Sequence, residues 1–363
     1  LIVKKGTSFR ICLDPIPLNK ALLRPNYQFT TIDEVVPELG NAKVFSTVDA
    51  TKGFWQLRLT EASSKLTTFW TPFGRFRWNV LPFGLNVSPE IFQMRLREMV
   101  QDLEGVEVMA DDFLIYGVGD TKEKALVNHN KNLAKLFERC RKYNCKLNKS
   151  KLSLCKTSVK FYGFELSDQG LKADSSKIQD IQNTQQPKDK QTLHRFLGLC
   201  TYLSRFIRNF SSETHNLRKL LLHNTDWNWT DKENNEFLKL KDIIAKVPTL
   251  KYYDINKPVI LECDSSSTGL GVVMYQENQI VAFASRVLTK AEQNYAMCEK
   301  ELLSIVFACT RFDQYILGNH NVTVKTDHKP LINIFQKPLL KAPKRLQLML
   351  MILQRYSLSV VFI

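Results

Sequence analysis

Between residues 106 and 117 the chain reads VEVMADDFLIYG, two short apolar stretches interrupted by Asp111 and Asp112. That pattern predicts two strands meeting at a hairpin tip, with a carboxylate pair where the turn falls. A third strand, AKVFSTVD, ends at Asp49 just before a turn at Gly53. Two helices stand out in the first half of the chain. One opens at Ser88-Pro89, with Ser as N-cap and Pro at the first helical position, and keeps Phe92, Leu96, Met99, Val100 and Leu103 on one face. The other runs from about Lys122 to Lys142, with Leu126, Leu133, Leu136, Phe137 and Cys140 at helical spacing. Pro72-Phe73-Gly74 and Pro82-Phe83-Gly84 bracket a hairpin strand.

Past residue 174 the pattern changes. NTQQPKDKQT at 183–192 reads as a linker or long turn, and 193–250 reads as helical throughout. From Lys257 the period returns to two in PVILECD, GLGVVMYQ and IVAFASR. A helix around KELLSIVFACTRF and a strand VTVKTD follow, and SLSVVFI at the end reads as an unfinished strand. Together with a first residue that is not Met, this marks the chain as a fragment of something longer.

Composition narrows the class. With 363 residues, two or three domains are expected. The longest apolar runs, such as LQLMLMIL at 346–353, are far short of the ~20 residues that cross a bilayer, so no membrane partner is expected. The eight cysteines form no C-x-x-C pair, which argues against structural zinc and fits free thiols in a reducing, intracellular compartment. The net charge is +15, with 26 basic against 19 acidic residues in 1–174 and 25 against 17 in 175–363. Because both halves are basic, the charge reads as a field for a polyphosphate along the whole molecule rather than a basic tail.

Against that excess, the placement of the acids is informative. Asp111-Asp112 at a hairpin tip is by itself an ordinary polar turn. Asp49, at the end of another strand, supplies a partner. Strand-end carboxylates are what Mg²⁺ requires, since it takes one or two of them and completes its octahedron with water and phosphate. In the last hundred residues Asp264 ends a strand, Glu301 lies on a helix and Asp327 ends a strand. Three converging acids on strand, helix and strand again suit a two-metal arrangement.

The strings FRICLDPIPLNKA, FSTVDATKGFWQLRL, LTTFWTPFGRFRWNVLPFGLNVSPEIFQ, VMADDFLIYG, LNKSK and KFYGFELSDQGLKAD follow one another in order. Together they resemble the successive polymerase motifs of reverse transcriptases from the gypsy class of LTR retrotransposons, and the likeness continues through LHRFLGLCTYLSRFIRNFS and WNWTDKENNEF. The resemblance implies a right-hand α+β polymerase. Fingers (partial) and palm would occupy 1–174, a helical thumb and connection 175–255, and an α/β ribonuclease H-like domain 256–363. It implies an RNA-directed DNA polymerase that extends a DNA primer on an RNA template with dNTP, acting in a cytoplasmic retroelement particle or in the nucleus.

By position, the resemblance makes Asp49 and Asp111 metal ligands and Asp112 a supporting carboxylate. Two Mg²⁺ ions per active site are implied, with Mn²⁺ as the alternative. Phe54 falls on the aromatic gate, where a ring under the sugar excludes a 2′-OH. Arg10 falls on the arginine that holds the triphosphate, with Lys4 or Lys5 beside it, and Phe83 within Leu81–Gly84 on the floor of the nucleotide pocket. Lys149 or Lys151 resembles the lysine that acts on pyrophosphate, and Tyr162-Gly163 the turn that grips the primer. Asp264, Glu301 and Asp327 resemble the metal-binding acids of a ribonuclease H acting on an RNA–DNA hybrid. That family carries a fourth carboxylate beyond the strand at which this sequence stops, so an incomplete nuclease is expected. A non-catalytic nucleic-acid-binding remnant and a pararetroviral polymerase are the alternatives.

Overall fold

The computed structural model describes residues 2–5, 8–336 and 342–363, with the backbone alone for residues 2–5, 8–10 and 336. The chain divides into two compact units, 1–168 and 169–363.

In the first unit a hairpin, β1 (Ile2–Lys5) and β2 (Ser8–Ile11), precedes the long strand β3 (Ala42–Asp49). A small hairpin of β4 (Phe69–Thr71) and β5 (Gly74–Phe76) follows, its tip formed by the first Pro-Phe-Gly. Then come β6 (Val106–Met109), β7 (Asp112–Val118), β8 (Ser153–Lys156), and a further hairpin of β9 (Ser158–Phe161) and β10 (Phe164–Ser167). The central sheet is antiparallel, in the order β6-β7-β3-β8. The helices Ser88–Val100 and Lys122–Lys142 supply Phe92, Leu96, Met99, Val100, Leu136 and Cys140 to one core with Val106, Val108, Phe113 and Ile115 from the sheet. Full burial of a side chain such as Phe113 or Ile115 stabilises by ~1.5–3 kcal/mol each. This core fixes the end of β3 against the β6–β7 turn.

The helix at 88 starts where the sequence indicates, but its cap differs. Ser88 is itself helical, Val87 is the N-cap, and no side chain caps the turn. The Ser88 hydroxyl donates instead to the Pro82 carbonyl at 2.8 Å. A long-range acceptor displaces the local cap and ties the helix to the Leu81–Gly84 segment.

In the second unit β11 (Gly170–Ala173) is joined to Leu250 by a reciprocal pair of backbone hydrogen bonds, at 2.8 and 2.9 Å. The stretch 193–250 is not helical throughout. Helices Lys190–Tyr202 and Asp231–Ala245 are separated by short helical turns and a non-helical run at 223–230. Asn, Asp and Thr in HNTDWNWT favour side-chain capping and turns over helix interior, and Thr230 forms a capping box with Glu233. Trp227 and Trp229 stack at 5.7 Å, and Trp229 meets Phe237 at 5.9 Å, so both are part of the packing.

The rest of the unit is a five-stranded sheet of β12 (Val259–Ser265), β13 (Gly269–Gln276), β14 (Gln279–Val287), β15 (Val322–Thr326) and β16 (Leu358–Phe362), in the order β14-β13-β12-β15-β16. β13 is antiparallel to both β12 and β14, whereas β15 is parallel to β12 and β16. Helix Met297–Arg311 places Leu302, Ile305, Ala308 and Cys309 in the core beneath β12 and β13.

Candidate active site

β3 and β7 run antiparallel with Asp49 directly opposite Asp112, and Met109 opposite Asp112 closes the β6–β7 turn around Ala110 and Asp111. Ala110 adopts φ +55, a left-handed conformation that costs a non-glycine residue ~1–3 kcal/mol. The Ala50 amide, which donates to the Asp111 carbonyl at 2.8 Å, holds the turn against β3. The fold thus gathers three carboxylates within one strand pairing, although like charges placed opposite one another repel. Burial, then the neighbouring Asp49 and Asp111 carboxylates, push Asp112 up to about 7. Lys151 opposes this: its ammonium donates to Asp49 Oδ2, and the same bond raises the pKa of the lysine. Of the two lysines the sequence leaves open, Lys151 is therefore the one at the carboxylates.

Beside the acids lies a cavity of about 400 Å³, lined by Asp49, Asp111, Lys151, Phe54, Phe83 and, among others, Phe29 and Asn148. Lys52 (φ +60) and Gly53 (φ +45) are successive left-handed residues that turn the chain tightly after β3. A Cβ at Gly53 would meet only Phe83 Cζ, at 3.9 Å, so backbone conformation rather than space calls for glycine. The turn delivers the Phe54 ring to the cavity wall, 4.7 Å from Phe83 and 5.5 Å from Phe92. Gln56 fastens the turn. Its Nε2 donates to the Thr51 and Lys146 carbonyls at 2.6 and 2.9 Å, and its Oε1 accepts from the Lys146 amide at 2.8 Å.

The structure therefore gathers Asp49, Asp111, Asp112, Phe54, Phe83 and Lys151. Arg10 and Lys5 lie on the β1–β2 hairpin, and their side chains fall outside the described residues. Tyr162 (φ +47) and Gly163 (φ +76) form the two-residue turn of the β9–β10 hairpin and are not among the cavity's lining residues. Phe29, Gln56 and Asn148 escape a sequence reading. Gln56 acts through Lys146, ninety residues away, whereas Phe29 meets Tyr27 and the Asn148 side chain bonds Ser150 close by. Gln56 in GFWQLRL and Asn148 in LNKSK lie within the polymerase-like strings, and Phe29 has no such signal.

The second acid cluster is built differently. Asp264 lies on β12 and Asp327 directly follows β15. Continuing the Glu262–Lys325 register by two residues sets these acids side by side. Glu301 projects from the helix beneath, 1% exposed. Its Oε1 accepts from Ser265 Oγ at 2.6 Å, and its Oε2 is buried with no hydrogen-bond partner. Burial, opposed by the Ser265 bond and reinforced by the Asp327 and Asp264 charges, pushes Glu301 up to about 7.

Among the described residues no three acidic, histidine or cysteine side chains form a ready-made metal cluster. The donor chemistry nevertheless suits a hard divalent cation at both places. The ligands would be carboxylate oxygens, one acid in each cluster is pushed towards neutrality, Lys151 already stands as a compensating charge in the first, and Glu301 Oε2 is an orphaned acceptor in the second.

Comparison with known proteins gives the same two-part division. Residues 2–166 match the model of the reverse transcriptase (RNA-dependent DNA polymerase) family, and residues 254–356 that of the RNase H-like domain found in reverse transcriptase. The chain is 36% identical over 336 residues to the retrovirus-related Pol polyprotein from transposon 412 of Drosophila melanogaster, covering 90% of this chain and 26% of the relative. It is 30% identical over 351 residues to the corresponding polyprotein from transposon gypsy of the same organism, covering 91% and 33%. The Tf2-3 polyprotein of Schizosaccharomyces pombe is 26% identical over 368 residues, covering 99% and 27%. The chain thus spans about a quarter to a third of these relatives. In fold it is similar to the foamy viral protease-reverse transcriptase solved as the dRH form with double-stranded DNA, at TM-score 0.88 and 23% identity, covering all of this chain and 64% of that one. The same viral protein solved with an RNA/DNA hybrid gives TM-score 0.80 at 23% identity, covering all of this chain and 49% of that one. Residues 2–166 thus carry a reverse transcriptase domain and residues 254–356 an RNase H-like domain found in reverse transcriptase, and nine-tenths of the chain is similar to Pol polyproteins of gypsy-class transposons.

Proposed function

We propose that this chain is an RNA-directed DNA polymerase with a linked ribonuclease H-like domain. The observation that carries the reading is the convergence of Asp49, Asp111 and Asp112 on one strand pairing, beside a cavity walled by Phe54 and Lys151. We read 1–174 as fingers and palm, 175–255 as thumb and connection, and 256–363 as the ribonuclease H-like domain. The partners are an RNA template, a DNA primer and their hybrid, with dNTP as substrate.

The reaction joins the primer 3′-oxygen to the α-phosphorus of the dNTP, breaks the bond from that phosphorus to the pyrophosphate oxygen, and releases a proton and pyrophosphate. The chemistry that two Mg²⁺ ions supply when bound at Asp49 and Asp111 is activation of the 3′-hydroxyl and neutralisation of the developing charge. Asp112 stands opposite Asp49 across the strand pairing as the supporting carboxylate. Lys151 is an exposed side chain whose ammonium is held on Asp49, and in the reaction it would turn to the leaving pyrophosphate, where it neutralises charge and donates a proton. Phe54, fixed by Phe83 and Phe92, sets a ring where a ribose 2′-OH would project. Arg10 and Lys5 would hold the triphosphate, Phe83 would shape the floor, and Tyr162-Gly163 would grip the primer. Asp264, Glu301 and Asp327 form the ribonuclease H site.

Primer extension on an RNA template with Mg²⁺ and dNTPs tests the reading. The wild type extends the primer and Asp111→Asn does not. Equal extension by the two proteins would overturn it.

A further inference from the structure

In the second unit the segment 201–218 packs over β14 and the helix Met297–Arg311, enclosing a cavity of about 370 Å³ that neither acid cluster uses. Its apolar wall is aromatic, from Phe210, Phe283 and Phe307, and its polar wall is cationic, from Arg205, Arg218, Arg286 and Arg311. Arg218 is held by neutral groups. Its Nε donates to Thr214 Oγ1 at 2.9 Å, its Nη2 donates to Thr201 Oγ1 at 3.2 Å, and its guanidinium lies 5.5 Å from the Phe210 ring centre. Hydroxyls and a ring orient that charge without neutralising it, and burial lowers the pKa of the group accordingly. Arg286 behaves differently, because it is bound at both nitrogens by Glu292, at 2.8 and 3.0 Å.

Ser211 is an independent sign. It lines the cavity, it is 6% exposed, and its Oγ is buried without a hydrogen-bond partner. Its backbone amide is already committed to Ser285 Oγ at 2.9 Å, so the serine is held in place while its hydroxyl waits for an acceptor. A buried hydroxyl left unpaired is costly, and an acceptor in the cavity would relieve it.

We propose that this cavity is a phosphate site. A tetrahedral oxyanion there meets the Arg218 guanidinium, is flanked by Arg205 and Arg311, and accepts from Ser211 Oγ. Four cationic side chains exclude a metal ion, and the volume exceeds that of a lone phosphate, leaving room for pyrophosphate or for a phosphodiester with its sugar. The phosphate can come from a nucleic-acid backbone or from free phosphate. Arg286 faces Leu270 on β13, which faces Ser265 on β12, so the cavity lies two strands from Asp264, about 10 Å at the usual strand spacing. A nucleic-acid strand rising ~3.4 Å per nucleotide covers that distance in about three nucleotides. The backbone source rests on the proposed function, whereas the phosphate chemistry of the cavity does not.

The test uses the full chain as wild type, Arg218→Gln, Arg311→Gln and Ser211→Ala, with Asp111→Asn as a control that leaves the cavity intact. Thermal melting is followed with and without inorganic pyrophosphate, and RNA–DNA hybrid binding is measured across a salt series. A backbone source predicts that the slope of log K against log salt falls by ~0.9 in Arg218→Gln and Arg311→Gln for each phosphate that the variant no longer neutralises, while Ser211→Ala weakens binding several-fold and Asp111→Asn keeps the wild-type slope. A free-phosphate source predicts unchanged slopes, with a pyrophosphate-induced rise in melting temperature that the cavity variants lose. Arg311 is exposed, so its substitution carries the test if Arg218→Gln does not fold. Wild-type slopes together with wild-type pyrophosphate shifts in folded variants would overturn the proposal. Loss of primer extension in Asp111→Asn bears only on the polymerase reading.

Discussion

At the end of β3 three carboxylates have an ammonium for company, whereas at the end of β12 three carboxylates have one serine hydroxyl. In both places one acid is pushed up to about 7, but the surroundings differ. Asp112 sits half-buried beside a cavity, with Lys151 drawing its pKa back down. Glu301 is enclosed on a helix, with one oxygen bonded and the other orphaned. The first cluster carries a positive charge of its own, on the exposed Lys151 side chain, which under the proposed function would pass to the leaving pyrophosphate. Among the described residues the donor at the second is the Ser265 hydroxyl, and Glu301 Oε2 is left without a hydrogen-bond partner.

The largest effect should come from breaking the first cluster at its centre. Asp49→Asn removes a proposed metal ligand and the partner of Lys151 together, and primer extension should fall at least ~10³-fold, on the scale of losing a main electrostatic element of a site. Next, Phe54→Val opens the wall where a 2′-OH would project. Discrimination against ribonucleotides should drop by one to two orders of magnitude while dNTP use persists, as single-nucleotide incorporation would show. Lys151→Gln should slow extension by ~10²-fold, the usual worth of a positioned proton donor, with little change in primer binding. An unchanged single-turnover rate would remove the proposed role of the lysine and erase the contrast between the clusters.

The smallest effects are on stability and concern mainly the second cluster. Glu301 has its pKa raised in the folded state, to about 7 from an ordinary 4.5. Its ionised form is therefore disfavoured by folding. Without divalent cations, stability is full below about pH 4.5 and declines as pH rises towards 7, where the unfolded chain has already released the proton. Glu301→Gln should flatten that decline and melt a few degrees higher at pH 7. Asp112→Asn, which relieves a like-charge pair worth up to ~1 kcal/mol, should raise melting by ~2–4 °C in a unit of this size. Melting curves between pH 5 and 8 check both.

Much of the architecture is legible in the sequence because it is written in short-range pattern. VEVMADDFLIYG reads as two strands and a carboxylate turn, and the helix expected from about Lys122 to Lys142 spans Lys122–Lys142. What depends on partners distant in sequence is not legible. The Ser88 hydroxyl goes to Pro82 rather than to its own helix end, Gln56 clamps a segment ninety residues away, and Lys151 rather than Lys149 meets Asp49. The run 193–250 carries helical spacing at both ends, and the break at 223–230 lies in polar residues whose preference for turns outweighs the pattern around them. Ordered polymerase motifs carried the family, while the arginine-lined cavity of the second unit has no sequence signature, because its four arginines come from separate elements.

The most direct measurement places wild type, Asp111→Asn and Glu301→Gln side by side on one gel, with a labelled DNA primer annealed to a labelled RNA template in Mg²⁺. Wild type and Glu301→Gln should lengthen the primer equally, and Asp111→Asn should leave it unextended while still binding the hybrid. Extension by Asp111→Asn, or its loss in a folded Glu301→Gln, would contradict the assignment of polymerisation to the cluster at the end of β3.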